Sequence, residues 1–228
     1  MEYKEFAKYY DKFYQNKNYE RETDFLMNFI NDGDKVIDVG CGTGIHASLI
    51  SRKGFNVDGL DLNKEMIDIA KKRLNSSLYV QNILNINIDE RYDVIISMFA
   101  VINHLKNTSE LKKCLSNMKR ILKHNGTIII DLHNPQSSGN KTDNFDNMSR
   151  TMEWHYDEKT KLEKSKIIFK TGNKKYEDSH IFRIFTIDEV RECCDSVGLK
   201  VKKICENYDI HKNGVKTSKN LQFVISNT

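Results

Sequence analysis

Proline is nearly absent from this chain: one, Pro135, stands among 228 residues. It falls just past a predicted strand, where a compact core hands over to a different texture. None of the five cysteines (Cys41, Cys114, Cys193, Cys194 and Cys205) belongs to a C-x-x-C pair. Zinc and redox sites use that spacing, so neither is expected. Five is also an odd count, which points to free thiols in a reducing cytoplasm. Long apolar runs are missing too: the longest, Val94 to Ile102, falls well short of the roughly 18 residues a membrane span needs. The opening MEYKEFAKYY mixes charge with aromatics and lacks the apolar centre of a signal peptide. A cytoplasmic protein with no membrane partner is expected. Nor does one sign of charge dominate, since 36 Lys and Arg against 32 Asp and Glu leave +4. A dedicated nucleic-acid binder concentrates more positive charge than that. Internal repeats and low-complexity segments are not evident.

What is present suits a single domain. Apolar residues make up 39% and charged residues 30%, the balance of a globular protein, and the length allows a substantial core without staples. Phe6, Tyr9, Tyr10, Phe13 and Tyr14, then Phe25, Leu26, Phe29 and Ile30, recur at helical spacing. Residues 1–32 are read as a helical cap. From residue 36 the pattern alternates: strand 36–39, helix 45–53, strand 55–60, helix 63–74, strands 77–81 and 92–98, helix 109–122, strand 126–132. Such alternation predicts an α/β fold, a parallel doubly wound sheet with helices on both faces. The core spans 33–135. Residues 136–149, rich in Ser, Gly, Asn, Asp and Lys, read as a mobile loop or lid. Residues 152–185 look antiparallel, with turn residues at 157–160 and 172–173. Over 186–228 a helix opens on Thr186 and Glu189, a capping-box spacing, and strands follow at 199–205 and 221–226.

The segment Asp38-Val39-Gly40-Cys41-Gly42-Thr43-Gly44 joins the first strand to its helix. Glycines let backbone approach a ligand, and a helix start can turn N–H groups toward it. The dinucleotide pattern G-x-G-x-x-G fails, because Ile45 stands where its third glycine belongs. Asp61 ends the next apolar run about 20 residues on, where a carboxylate can accept from a ribose diol. Loop and acid together define a nucleoside site without saying what the nucleoside carries.

The run D-V-G-C-G-T-G at 38–44, followed by G-L-D-L-N-K-E-M at 59–66, resembles the class I S-adenosylmethionine-dependent methyltransferases. The resemblance is strong over about residues 36–132 and looser elsewhere. It implies a Rossmann-like seven-stranded sheet whose last pair is antiparallel, a small antiparallel β insert over the active site, and S-adenosylmethionine (SAM) as cofactor. It implies that Gly40 and Gly42 flank the methionine moiety, that Asp61 holds the ribose and that Leu62 and Met66 pack around the adenine. Cys41, Ile83 and Met98 complete the cofactor set, with Tyr10 and Tyr19 in the cap above it. Asn82 stands where the family usually has Asp accepting from the adenine amino group; an Asn oxygen can still accept, without the charge.

On the acceptor side, the strand ending Ser97-Met98-Phe99-Ala100 is followed by Val101-Ile102-Asn103-His104. The Asn/Asp-Pro-Pro-aromatic motif of nucleobase amine methylases is missing there, and so is a cysteine for cytosine carbon methylation. The segment resembles the small-molecule branch that includes amino-sugar and glycine-type N-methyltransferases. Methyl transfer to nitrogen or oxygen of a small metabolite, a nucleotide-linked amino sugar being the candidate the resemblance suggests, is the expected activity, by a monomer or homodimer. The alternatives are an RNA or protein methyltransferase and a non-catalytic nucleoside-binding protein. His104 is the candidate base, since its ordinary pKa of about 6.5 suits proton acceptance; the alternative is a structural histidine in a strand-to-helix turn. Tyr14, His180 and Arg183 are the candidate substrate contacts, the last two for an anionic group. His46, His124, His133, His155 and His211 receive no role.

Overall fold

The computed structural model describes residues 3–135 and 137–227, with side chains from Ala7 onward. Phe6, as a packing residue, and position 136 of the loop therefore lie outside it. Two helices open the chain, α1 (Tyr3–Phe13) and α2 (Tyr19–Met27). Asn18 starts the second by accepting from the Arg21 N–H, the favoured use of a short amide before a helix. The core then runs β1 (Lys35–Val39), α3 (Ile45–Arg52), β2 (Asn56–Asp61), α4 (Lys64–Ala70), β3 (Leu78–Val80) and β4 (Tyr92–Ser97). A 3-10 turn at Val101–His104, α5 (Thr108–Ile121) and β5 (Leu122–His133) follow. Asn63 and Asn107 cap α4 and α5 in the same way.

The expected mobile loop is a strand. The second sheet is formed by β6 (Gly139–Phe145), β7 (Met148–Asp157), β8 (Leu162–Thr171) and β9 (Lys174–Arg183), antiparallel in that order. Opposite Gly139 in the ladder stands Trp154, and a Cβ on that glycine would come within 2.6 Å of the indole. The glycine read as loop composition is the clearance for an aromatic ring. Most of β6 is otherwise polar and exposed, which suits an edge strand.

The chain closes with α6 (Ile187–Ser196), β10 (Leu199–Glu206), β11 (Asp209–Asn213) and β12 (Asn220–Asn227). The Thr186–Glu189 capping box is present, each partner bonding the other's backbone. The main sheet has the order β11-β10-β12-β5-β4-β1-β2-β3, with β12 antiparallel between β10 and β5 as expected. It carries one strand beyond the expected seven, the short edge strand β11.

Two cores flank this sheet. Leu111, Leu115 and Met118 of α5, with Val190 and Cys194 of α6, bury one face; Phe25 and Leu26 of α2, with Ala47 and Ile50 of α3, bury the other. All five cysteines are buried free thiols. A third cluster seats Phe13 of α1 against Phe145 and Phe169 of the small sheet, rings 6.3 and 4.2 Å apart. The small sheet and the N-terminal cap are thereby joined over the ends of β1 and β4.

Candidate active site

The parallel strands end together, and the site begins where they stop. After β1 the chain turns sharply through Gly40, whose φ is +84°; a Cβ there would come within 2.6 Å of the Val101 side chain. Only glycine fits. The N–H groups of Gly40 and Cys41 both donate to Leu60 O, at 2.7 and 2.9 Å, and that of Gly44 to Cys41 O. Gly42 N–H donates to Asp61 Oδ2 at 2.8 Å. The loop thus spends these donors on its own shape and on Asp61, contrary to the expectation that they face a ligand. A phosphate cradle would need them free; a sulfonium nucleoside does not.

Asp61 ends β2, with Asn63 N–H on its second oxygen at 2.8 Å. Each oxygen keeps a lone pair, enough to accept a diol. Burial raises its pKa, against the opposing backbone donors. Beside it Leu62 is 68% exposed, a flat apolar surface with nothing on it, while Met66 is buried below. Asn82 is exposed, and its Oδ1 already accepts from Leu84 N–H at 2.8 Å. The free end of that amide is therefore the NH2 group as well as one remaining lone pair. Ile83 is half-buried and packs against the main core.

Two of the expected cofactor residues turn their side chains away. Met98, 2% exposed, lies in the core beneath α2 and α3. Cys41 tucks its sulfur against Gly59, so only its backbone belongs to the loop's ligand side. A residue at a strand end points into the core as readily as out, and spacing alone does not choose.

The cap is clasped to the glycine loop. Thr43 Oγ1 donates to Asp11 Oδ1 at 2.6 Å, and Arg73 donates to both Asp11 and the Thr43 carbonyl. Tyr10 and Tyr14 pack ring on ring at 4.7 Å, and Tyr14 meets Phe99 edge-on at 5.0 Å. Tyr19 lies against His46, and the Lys17 ammonium sits over both the Tyr19 and Phe99 rings.

Phe99 and Ala100 are consecutive left-handed residues, φ +68° and +59°, a conformation that costs a side chain energy. Asp131, buried at the end of β5, holds them there. Its carboxylate accepts from Phe99 N–H at 2.9 Å, Ala100 N–H at 2.7 Å and the Tyr208 hydroxyl at 2.6 Å. Burial raises the Asp131 pKa against those three donors. Glu22 lies behind, paired with His46 Nε2 at 2.7 Å and with Lys17. Burial pushes the Glu22 pKa up, but His46 and Lys17 outweigh it and hold it low. Asp38, 1% exposed, has one carboxylate oxygen without a partner, and burial pushes its pKa up to about 7.

On the acceptor side the structure brings His104 and His180 together, ring centroids 5.6 Å apart, with Phe182 at 4.7 Å from His104. Asp178 pairs with His180 Nε2 at 3.2 Å. Residues 178, 180 and 182 alternate along β9 and share its inner face. Crowding around the His104 ring, then the neighbouring His180, push its pKa down to about 4, with Asp178 opposing. Solvent still reaches one side of the ring and softens that shift; the direction leaves a neutral imidazole at pH 7. Ladder registers put Glu163, Ser165 and Ile167 on the same inner face, and Glu163 is paired with His133 at 3.1 Å.

Arg183 is a correction. It sits on the opposite face of β9 from His180, bonded to Glu189 of α6 at 2.7 Å and to the Ile184 carbonyl. It ties the small sheet to α6 and does not reach the site. His46 and His133, given no role from sequence, are both ion-pair partners here. Glu163, Asp178, Asp131, Tyr208 and Glu22 were missed, because their neighbours are remote in sequence and no local spacing announces them.

A family model described as a methyltransferase domain matches residues 10–204. The chain belongs to that family. This methyltransferase is 37% identical over 135 residues to an uncharacterized protein of Methanocaldococcus jannaschii, covering 58% of the chain and 50% of that relative. It is 26% identical to the dTDP-3-amino-3,4,6-trideoxy-alpha-D-glucopyranose N,N-dimethyltransferase of Streptomyces venezuelae, covering 55% and 56%. The match thus spans about half the length of these curated relatives. Among solved structures, a S-adenosylmethionine-dependent methyltransferase from Clostridium acetobutylicum superposes with a TM-score of 0.84 at 22% identity, covering 98% of each chain. The superposition shows a shared fold; S-adenosylmethionine is the cofactor that the sequence resemblance implies. The residues present fit that cofactor: a turn only glycine can make, a backbone-oriented carboxylate, an uncovered Leu62 and an orphaned acidic oxygen at Asp38.

Proposed function

We propose that this methyltransferase acts on the amino nitrogen of a small metabolite, an amino sugar being the nearest class. The observation that carries the reading is the cluster of His104, His180 and Asp178 beyond the end of β4. The names of sugar N,N-dimethyltransferase relatives from two Streptomyces species support it. When bound, SAM supplies an activated methyl on a sulfonium sulfur. Gly40 and Asp61 would hold it, and the exposed Asn82 would meet the adenine with its amide.

Binding and orientation then do most of the work. An amine attacks only through a free lone pair. With its pKa near 4, His104 is neutral and can accept a hydrogen bond from an amine N–H, aiming the lone pair away from itself. It is too weak a base to keep the proton once the nitrogen becomes cationic. The adjoining His180, paired with the Asp178 carboxylate, lies 5.6 Å away, ring centroid to centroid. Tyr14 and Phe99 form an aromatic wall that excludes water and attracts positive charge.

Incubation with labelled SAM and a panel of amino sugars, free and nucleotide-linked, followed by mass spectrometry of the products, tests this. Label on nitrogen is expected; label found solely on hydroxyl groups, RNA or protein overturns it. His104→Phe should lower kcat at least tenfold while the dissociation constant for S-adenosylhomocysteine stays within twofold. An unchanged kcat removes His104 from the mechanism.

A further inference from the structure

The small sheet buries a second carboxylate beside the acceptor cluster. Glu163 of β8 is 3% exposed. Burial pushes its pKa up, but His133 and Ser165 outweigh that and hold it low, so it keeps its charge. Oε2 meets His133 Nε2 at 3.1 Å, and Oε1 accepts from Ser165 Oγ at 2.7 Å. Both oxygens are thus fixed, one from the main sheet and one from β8 itself. His133 is the last residue of β5, where the parallel strands stop, and 39% of its side chain is exposed. Asn103 fixes its backbone, donating to the His133 carbonyl at 3.1 Å and accepting from its N–H at 2.9 Å. That asparagine directly precedes His104. In the β8–β9 ladder Phe182 stands opposite Glu163 and His180 opposite Ser165, and Phe182 is the ring that lies against His104.

An ionised carboxylate only accepts hydrogen bonds. Nε2 of His133 therefore carries the hydrogen, and the neutral ring keeps its lone pair on Nδ1. Among the described residues none bonds Nδ1. A carboxylate placed in this way fixes the imidazole tautomer and stabilises the imidazolium that forms. His104, pushed down to about 4, cannot hold a proton near neutral pH. His180 also has a carboxylate, but its side chain is 21% exposed against 39% for His133, and a proton once taken must leave for solvent.

We propose that His133 is the base of this site, with Glu163 as the positioning residue behind it. This rests on the amine reading above and adds the proton acceptor it lacks. An alkylammonium, like a lysine side chain with its pKa of about 10.4, arrives protonated and has no lone pair with which to attack. Its N–H bond breaks with the electron pair left on nitrogen, and the proton bonds His133 Nδ1. The imidazolium then returns that proton to solvent from the exposed side of the ring. The titratable groups around His133 are Glu163 of β8, His180 and Asp178 of β9, Tyr156 of β7 opposite Glu163, His104 of the turn, and Asp131 in β5 itself. Asn220, opposite it in β12, is neutral.

Nitrogen NMR of the histidine rings in the full chain, with no acceptor present, reads the tautomer. At pH 8 His133 is expected as the Nε2–H form; the Nδ1–H form overturns the proposal. Kinetics then use the panel amine that takes label. His133→Asn should lower kcat at least tenfold at pH 7 and less than threefold at pH 9, where more of the amine arrives with its own lone pair, with KM within threefold at both. Glu163→Gln should show the same pattern at smaller size, and it decides if His133→Asn fails to fold by circular dichroism. Equal loss at both pH values, or a change in KM alone, marks a structural role and overturns the proposal. So does this pattern in His180→Gln with none in His133→Asn. If no amine takes label the amine reading fails, and the tautomer, which needs no acceptor, decides for His133 separately.

Discussion

Asp61 has a backbone N–H on each oxygen and a lone pair to spare on each. Its removal leaves Gly42 N–H without its partner and, on the proposed role, takes the acceptor from the ribose. Hydrogen bonds to a charged group contribute about 1.5–3 kcal/mol, so Asp61→Ala should weaken S-adenosylhomocysteine binding by one to two orders of magnitude in calorimetry. A change under threefold would mean the ribose lies elsewhere. The positions of Asp61 and the glycines were legible in the sequence because they are set within one βαβ unit, where spacing translates directly into place. The pairing of His133 with Glu163 was not legible. The two meet across 30 positions of sequence and between two sheets, and nothing local sets His133 apart from any histidine at a strand end.

At the scale of elements, the turn after β4 is made by β5 and the β10–β11 turn rather than by its own residues. Phe99 and Ala100 adopt a glycine-like backbone because the Asp131 carboxylate faces both of their N–H groups, and Tyr208 fixes the carboxylate. Asp131→Asn keeps the shape but replaces one acceptor by a donor, so one of the three bonds is lost and an N–H is left facing an NH2. The expected loss is about 1–3 kcal/mol in urea unfolding, with kcat falling while donor affinity holds. Unchanged kcat would show that the turn does not position the acceptor. The buried strands β1, β4 and β5 could be recognised as apolar runs ending at turn residues, and their helices by amphipathic spacing. β6 could not, since its polar, exposed residues resemble loop composition until Trp154 is seen lying over Gly139. β11 is equally short and polar, and it escaped for the same reason.

Across the whole molecule, buried acids set how the fold responds to pH. Burial chiefly, with repulsion from Asp61 and Asp131 against attraction from His46, takes Asp38 from 3.8 up to about 7. Between those values the native protein keeps a proton that the unfolded chain has released. Its contribution is therefore full below about pH 4 and is lost as pH rises toward about 7. Glu22 works in the opposite sense: its pKa is held low, so its contribution is present above the ordinary carboxylate range and lost as pH falls. Asp38→Asn should raise the urea midpoint at pH 8 and match wild type at pH 4. A variant equally destabilised at both would contradict the sign.

The cap is fastened at points far along the chain. Glu22 sits in the network that holds Asp131 and Tyr208, Arg21 donates to the Asn207 carbonyl at 2.7 Å, and Phe13 rests on Phe169. Every one of those surfaces is made by residues that leave the ribosome after the cap itself. The cap, synthesised before each surface it docks on, is thus late to find its place, and its aromatic residues wait uncovered until those surfaces form. Contacts this distant in sequence slow folding, and a nascent chain in that state is exposed to unwanted association. Birth order and docking order run in opposite directions here.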